Sequence, residues 1–226
     1  MNRRLESELL DHLPADDPAA IASRRDLARI NLAMRAPAIV AKALSRFSCP
    51  RLLVDLGGGD GRFLLRVARQ LPEWRGVTAV IADRQAIVRD DTKAGFAPLE
   101  WQCELRQGDI FATLAEMPPG TLIMANLFLH HLDEAGLSRL FELAAARAMG
   151  LVACEPRRNR LSLLGSHMVA ALGANSVTRH DAVASVRAGF AGRELSDLWP
   201  QGRDWYLSEM AALPFSHLFT ARHHGI

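Results

Sequence analysis

Apolar positions along the chain fall into two regimes. Ahead of residue 49 they recur at a helical period, at Leu27, Ile30, Met34, Ile39, Val40, Ala43 and Leu44, interrupted at Pro37. Ser23 and Asp26 read as a capping box that opens this helix, and Pro14 and Pro18 read as breaks before it. Residues 1–48 are therefore expected to form a helical N-terminal cap. From Arg51 onward, short apolar runs alternate with amphipathic ones. Leu52–Asp55, Val77–Ala82, Glu100–Arg106, Leu122–Phe128 and Leu151–Cys154 predict strands. Arg62–Gln70, Arg84–Lys93, Phe111–Glu116 and Asp133–Ala148 predict helices. Five such alternations imply an α/β domain over residues 49–226: a parallel sheet with helices on both faces.

The pattern changes again after residue 156. Residues 157–190 read as helical throughout, with Gly165, Gly173 and Asn175 as weak points, and a helical lid is expected over about 157–200. Two last runs, Trp205–Met210 and Phe215–Ala221, are separated only by Ala211, Ala212, Leu213 and Pro214. A parallel crossover needs a dozen or more residues, so these two strands must pair antiparallel.

Composition narrows the class without choosing the chemistry. The chain has 226 residues, 49% hydrophobic and 23% charged, which suits one globular domain with a small appendage. A formal net charge of +2, with the charges interspersed, gives no footprint for a nucleic acid or a membrane surface. Cys49, Cys103 and Cys154 are odd in number and far apart, so neither a disulfide framework nor a metal site is expected, and a reducing cytoplasm fits. MNRRLESELLDHLP has no long apolar stretch of a secretory signal. The most apolar windows, around 122–132 and 161–173, fall short of a membrane span.

The densest chemical signal is VDLGGGDGRF, residues 54–63. Glycines after a strand permit positive φ and close approach of the backbone to a ligand. A phosphate P-loop is excluded, because no Gly-Lys-Ser/Thr follows at the required spacing. A dinucleotide fingerprint counted from Gly57 and Gly59 meets Arg62 where the third small residue belongs. Asp60 also puts a carboxylate where a pyrophosphate would sit. What fits is an acid followed by alternate glycines: Asp55, Gly57, Gly59 and Gly61.

This turn resembles that of the class I S-adenosylmethionine (SAM)-dependent methyltransferases, whose cofactor carries a sulfonium and an ammonium that acids favour. Three further motifs carry the resemblance across residues 50–155. Val80-Ile81-Ala82-Asp83 ends the second strand in an acid suited to a ribose diol, with Arg84 beside the adenine. Gln107-Gly108-Asp109-Ile110-Phe111 is similar to the third-strand motif, which implies Asp109 at the adenine amino group and Ile110 on the ring. Met124 to Leu132 resembles the fourth-strand motif of small-molecule members, with Asn126 and Leu127 on the cofactor side. The resemblance implies a Rossmann-like doubly wound sheet of seven strands, mostly parallel, closed by the C-terminal antiparallel hairpin. It also implies SAM as cofactor and S-adenosylhomocysteine as product.

For the acceptor, the same resemblance implies a small molecule methylated at a phenolic or polyketide-like hydroxyl. Nitrogen or carbon methylation and a non-catalytic SAM-binding protein remain open. His130 and His131 are the catalytic candidates, His130 preferred as base or acceptor-orienting group. Arg35 is the candidate for the methionine carboxylate. His180, Arg157, His167 and Met34 are candidate acceptor contacts, with Met168, Phe190 and Trp199 as apolar lid contacts and Arg158 beside them. No Asn/Asp-Pro-Pro-aromatic motif and no Pro-Cys nucleophile is present, which argues against amino-directed and pyrimidine-C5 transfer. Helical caps of this kind often pair two chains, so monomer and homodimer both stay open.

Overall fold

The computed structural model describes residues 1–202, 204–212 and 214–224; Leu213, in the final connection, lies outside them. Its strands are β1 (Leu52–Leu56), β2 (Thr78–Asp83), β3 (Gln102–Gln107), β4 (Thr121–Asn126), β5 (Ala148–Pro156), β6 (Trp205–Ala212) and β7 (Ser216–His223). They form one sheet in the order β3-β2-β1-β4-β5-β7-β6. β1 to β5 pair in parallel, and β7 is antiparallel to both β5 and β6. This is the expected doubly wound sheet with its closing hairpin. The helices are α1 (Pro18–Ala33), α2 (Ala36–Leu44), α3 (Arg62–Ala68), α4 (Asp90–Ala94), α5 (Ile110–Glu116), α6 (Glu134–Arg147), α7 (Arg160–Met168), α8 (Ser176–Ala188) and α9 (Glu194–Leu198).

The strand residues alternate between two cores, as a pleat requires. Leu53, Ala79, Ile81, Leu122, Met124 and Val152 face α2 and α3, joined there by Phe96 and Trp101. Val54, Val80, Ile123, Leu151 and Ala153 face α5, α6 and α9, where Phe141, Trp199 and Phe219 pack ring against ring. β5 is buried along its whole length. Val40 and Leu44 of α2 share the first core, so α2 is fastened to the sheet.

Three expectations are corrected. First, α1 starts at Pro18. Asp17 caps it by accepting the N–H groups of Ala19 (2.7 Å) and Ala20 (3.2 Å), and proline suits a first helical position because its missing N–H has no partner to lose. Ser23 and Asp26, read as a cap, lie inside α1 and meet α8: Thr178 Oγ1 donates to Ser23 Oγ at 3.0 Å, and Asn175 N–H donates to Asp26 Oδ2 at 3.0 Å. Second, residues 1–17 contain no helix and form a strap with two turns, near residues 9–13 and at 15–16. Third, residues 84–89 are irregular, because Asp83 Oδ1 takes the N–H of Gln85 at 2.8 Å and competes with helical bonding. Of the expected weak points, Gly173 (φ 75°) and Asn175, which caps α8, mark the break between α7 and α8, while Gly165 stays within α7.

Candidate functional site

β1, β2 and β4 end at a cleft of about 1020 Å³. Open parallel sheets bind ligands at this edge. β1 passes into the glycine turn, where Gly57, Gly59 and Gly61 hold φ of 65°, 55° and 74°. Gly57 N–H donates to Ala82 O at 2.8 Å, tying the turn to the end of β2. A Cβ on Gly57 would stand 2.2 Å from Phe128 Cδ2, whereas one on Gly59 would meet nothing within 4 Å. Gly57→Ala should therefore cost roughly 2–3 kcal/mol, for the left-handed backbone plus the collision, and Gly59→Ala only about 1 kcal/mol. Thermal melts of the two variants check that order; equal losses would contradict it.

Acids line this cradle. Asp55 is 1% exposed, and its Oδ2 finds no hydrogen-bond partner among the described residues. Burial, followed by the negative charge of Asp83, pushes its carboxyl up to about 8. Asp83 Oδ2 accepts Gly59 N–H at 2.9 Å, which leaves lone pairs on both of its oxygens for a ligand. Asp60 is turned back on the start of α3, accepting Arg62 N–H at 3.1 Å. Asp109 caps α5 through Phe111 N–H (3.0 Å), with Ile110 buried beside it, and both line the cleft with Arg84.

β4 ends in strain. Leu127 takes φ 54°, uncommon for a branched side chain, and is held there by its N–H bond to Cys154 O at 3.0 Å. Asn126, just before it, points a buried Oδ1 that has no partner among the described residues. Both residues line the cleft, as expected of them.

Beyond Leu127 lies a charged cluster that dominates the other half of the cleft. Glu155, wholly buried at the end of β5, accepts the N–H groups of Phe128 (3.0 Å) and Leu129 (2.9 Å) on Oε1, and His130 Nδ1 on Oε2 at 2.7 Å. His130 is 1% exposed, and its Nε2 lies 3.2 Å from Glu8 Oε1. Burial works against a charged ring here, but the hydrogen bonds and charges of Glu155 and Glu8 outweigh it and push His130 up to about 9. Both ring nitrogens of His130, expected as base or acceptor-orienting group, face carboxylates, Glu155 on one side and Glu8 on the other. Glu8 is held below the usual carboxylate range despite its burial, by His130, His131 and the Ser185 hydroxyl. His131 is more open. Its Nδ1 lies 3.3 Å from Asp11 Oδ2, and its Nε2 is 4.0 Å from Glu8 Oε2, beyond hydrogen-bond reach.

Glu8 and Asp11 come from the strap, which crosses the cleft. Asp181 of α8 accepts the N–H groups of Leu9 (2.8 Å) and Leu10 (3.0 Å). Arg3 donates to Leu132 O at 2.7 Å and lays its guanidinium over Phe190. Arg158 donates to Met1 O at 2.9 Å. Sequence reading missed Glu8, Asp11 and Glu155 as site residues. Only Glu155 left a signal, an acid inside the apolar run that forms β5.

Several candidates fall outside the cleft lining. Arg35 is exposed at the start of α2 with φ 57°, and Met34 precedes it half-buried. His167 is exposed on α7. His180 turns its Nδ1 to Asp181 at 2.9 Å. Arg157 bonds through its N–H to Phe215 O at 2.8 Å. Phe190 and Trp199 are core residues, and Met168 is 60% exposed. The arginines that do line the cleft are Arg24, Arg62, Arg66 and Arg84.

No protein-family model matches this chain, and no curated protein matches it in sequence. Solved structures do match. An O-methyltransferase family protein from Burkholderia thailandensis shares 19% identity at a TM-score of 0.60, over 94% of this chain and 62% of its own. The pyocyanin biosynthetic protein PhzM shares 19% identity at a TM-score of 0.59, over 96% of this chain and 62% of its own. The plantazolicin methyltransferase BamL, in complex with a triazolic desmethylPZN analog and S-adenosylhomocysteine, has a TM-score of 0.67 at 10% identity, over 95% and 92% of the two chains. This chain thus spans 62% of the length of the first two. At these identities the likeness establishes the architecture: the chain is built on the Rossmann-like fold that these methyltransferases use.

Proposed function

We propose that this chain is a SAM-dependent methyltransferase acting on a hydroxyl of a small molecule, phenolic or polyketide-like. One observation carries the reading. Asp55 presents a buried, partnerless carboxylate oxygen to a glycine cradle that also contains Asp83. A cationic ligand lets that carboxyl give up its proton and ionise, whereas a pyrophosphate would bring further negative charge beside Asp55 and Asp83, so the residues fit SAM better than a nicotinamide dinucleotide. The structural neighbours support the same choice, since one of them holds S-adenosylhomocysteine.

In this reading Asp83 accepts the two ribose hydroxyl protons, Ile110 packs on the adenine and Asp109 accepts its amino group. Arg24 and Arg66, which line the wall on the α1 side, take the carboxylate role expected of Arg35. The chemistry supplied by SAM when bound is a methyl group already activated on a sulfonium. What remains for the protein is to align the acceptor oxygen and ease the loss of its proton. His131 is the group placed for this: Asp11 holds its Nδ1 side, and Nε2 is left without a hydrogen-bonded partner in the cluster. His130 acts one step back, positioning Glu8. Free Cys49, Cys103 and Cys154 fit a reducing, cytoplasmic setting.

A thermal-shift competition tests the reading. SAM or S-adenosylhomocysteine should raise the melting temperature, and NAD should not. Asp83→Ala should weaken S-adenosylhomocysteine by at least about tenfold, from loss of hydrogen bonds to buried hydroxyls. Stabilisation by NAD alone, or unchanged affinity in Asp83→Ala, would refute these assignments.

A further inference from the structure

The cluster at the strap carries the donor set and the bracing of a metal centre. Among the described residues, Glu8, His130 and His131 are the one group of His, Cys, Asp and Glu whose donor atoms converge, all within 4.8 Å of one another. We propose that Glu8, His130 Nε2 and His131 Nε2 bind a divalent first-row transition ion of the zinc or iron class, with its open positions toward the cleft.

Distance supports this first. An ion about 2.1 Å from each donor spans donors up to roughly 4.2 Å apart. His130 Nε2 lies 3.2 Å from Glu8 Oε1, and His131 Nε2 lies 4.0 Å from Glu8 Oε2. Both distances fall within that span, and since all three donor atoms lie within 4.8 Å of one another, a shift of a few tenths of an ångström at most by His131, whose side chain is 26% exposed, completes the geometry.

The second support is independent of the donors. Metal-bound histidines hand their other nitrogen to a carboxylate or carbonyl, which sets ring and tautomer. Both histidines here do so, His130 Nδ1 to Glu155 at 2.7 Å and His131 Nδ1 to Asp11 at 3.3 Å. Glu8 is steadied in turn by the Ser185 hydroxyl. Charge agrees as well: three carboxylates, Glu8, Asp11 and Glu155, surround two imidazoles. Two imidazoles with one carboxylate form a borderline donor set, matched to zinc or ferrous iron rather than to magnesium or calcium.

The use of such an ion rests on the methyltransferase reading. Phe128 packs on Gly57 on one side and lies 6.3 Å from the His131 ring on the other, so the cluster stands one aromatic ring from the cofactor cradle. An ion there would displace the Nε2 proton of His130, occupy the Nε2 of His131 and replace His131 in easing proton loss: it would take the acceptor hydroxyl as a further ligand and make it more acidic. The favoured acceptor class is then a hydroxyl with a second oxygen beside it, able to chelate.

The test is titration of the chelator-treated full chain with Co²⁺, followed by its visible absorption, and with Zn²⁺ in competition. One ion per chain is expected. Glu8→Gln and His131→Ala should each weaken binding at least tenfold, and Asp11→Asn by about 10–100-fold as an outer partner. His167→Ala, on an exposed histidine of α7, should bind like the parent. Melting curves and S-adenosylhomocysteine titrations on the same samples certify folding. Parent-like Co²⁺ binding in both Glu8→Gln and His131→Ala, or no binding by the folded parent, would overturn the proposal. Failure of Co²⁺ with S-adenosylhomocysteine bound normally would remove the ion site alone. Co²⁺ bound as described in a chain that ignores S-adenosylhomocysteine would leave the site and remove the methyltransferase reading.

Discussion

Asp55→Asn should make the ligand-free chain more stable above neutral pH while removing most of its affinity for SAM. The carboxyl sits at the end of β1, 1% exposed, with one oxygen unpaired among the described residues. Its value in the folded chain is about 8 against an ordinary 3.8. Between those two pH values the folded state holds a proton that the unfolded state has released. Stability must therefore fall as pH rises from about 4 to 8, by an amount on the order of a few kcal/mol. Asparagine has no charge to bury, so the variant loses that slope. Urea unfolding at pH 5 and pH 9 should show parent and variant close at the lower value and the variant ahead at the higher. The same change removes a buried anion facing a cationic ligand, a loss worth about 2–5 kcal/mol in comparable pairs, so SAM should bind roughly a hundredfold more weakly. A variant with parental SAM affinity would contradict the role given to Asp55.

The second large effect is expected at Glu155. Its two oxygens take the N–H groups of Phe128 and Leu129 and the His130 ring, which shapes the loop after the strained Leu127. Glu155→Gln keeps the size but offers one acceptor end and one donor end. In one orientation its NH₂ meets the N–H groups of Phe128 and Leu129, which can only donate; in the other it meets His130 Nδ1, which can accept only by giving up its proton. Breaking a buried charged pair in this way costs about 3–5 kcal/mol. There is also a pH signature. His130 is near 9 in the folded chain against an ordinary 6.5, so its contribution is fully present below pH 6.5 and is lost as pH rises through 9. In the chelator-treated parent, stability should decline across that window. In Glu155→Gln the decline should shrink, because the main partner raising His130 has lost its charge. An unchanged slope with unchanged stability would show that Glu155 is not what holds the loop.

The half of the cleft assigned to SAM was legible in the sequence, and the acceptor half was mostly not. Asp55, Asp83, Ile110 and the glycines lie at strand ends, where a local signal and a rule about parallel sheets locate them together. The strap offers no such rule. Glu8 meets His130 across 122 residues of chain, and ELLDHLP looks like a helix to any periodicity argument. Arg35 is expected at the site by resemblance to similar N-terminal caps, Arg157 by its place at the end of the fifth strand, and His167 and His180 by residue type in the helical stretch after it. Arg35 and His167 are exposed, His180 turns to the neighbouring Asp181, and the backbone of Arg157 is tied to Phe215, and none of the four lines the cleft. His130 shows the remaining gap most clearly: its position could be read from the fourth strand, but its chemistry is set by Glu155 and Glu8, carboxylates on two other segments.

The most direct test of the account is calorimetric titration of S-adenosylhomocysteine into the folded full chain at pH 7. The account predicts one site per chain, with a dissociation constant on the order of micromolar. It also predicts a heat that changes with the ionisation enthalpy of the buffer, because the ligand's ammonium lowers the raised Asp55 carboxyl and drives off its proton. No binding by a sample that melts cooperatively, or binding with no proton release that persists in Asp55→Asn, would contradict it.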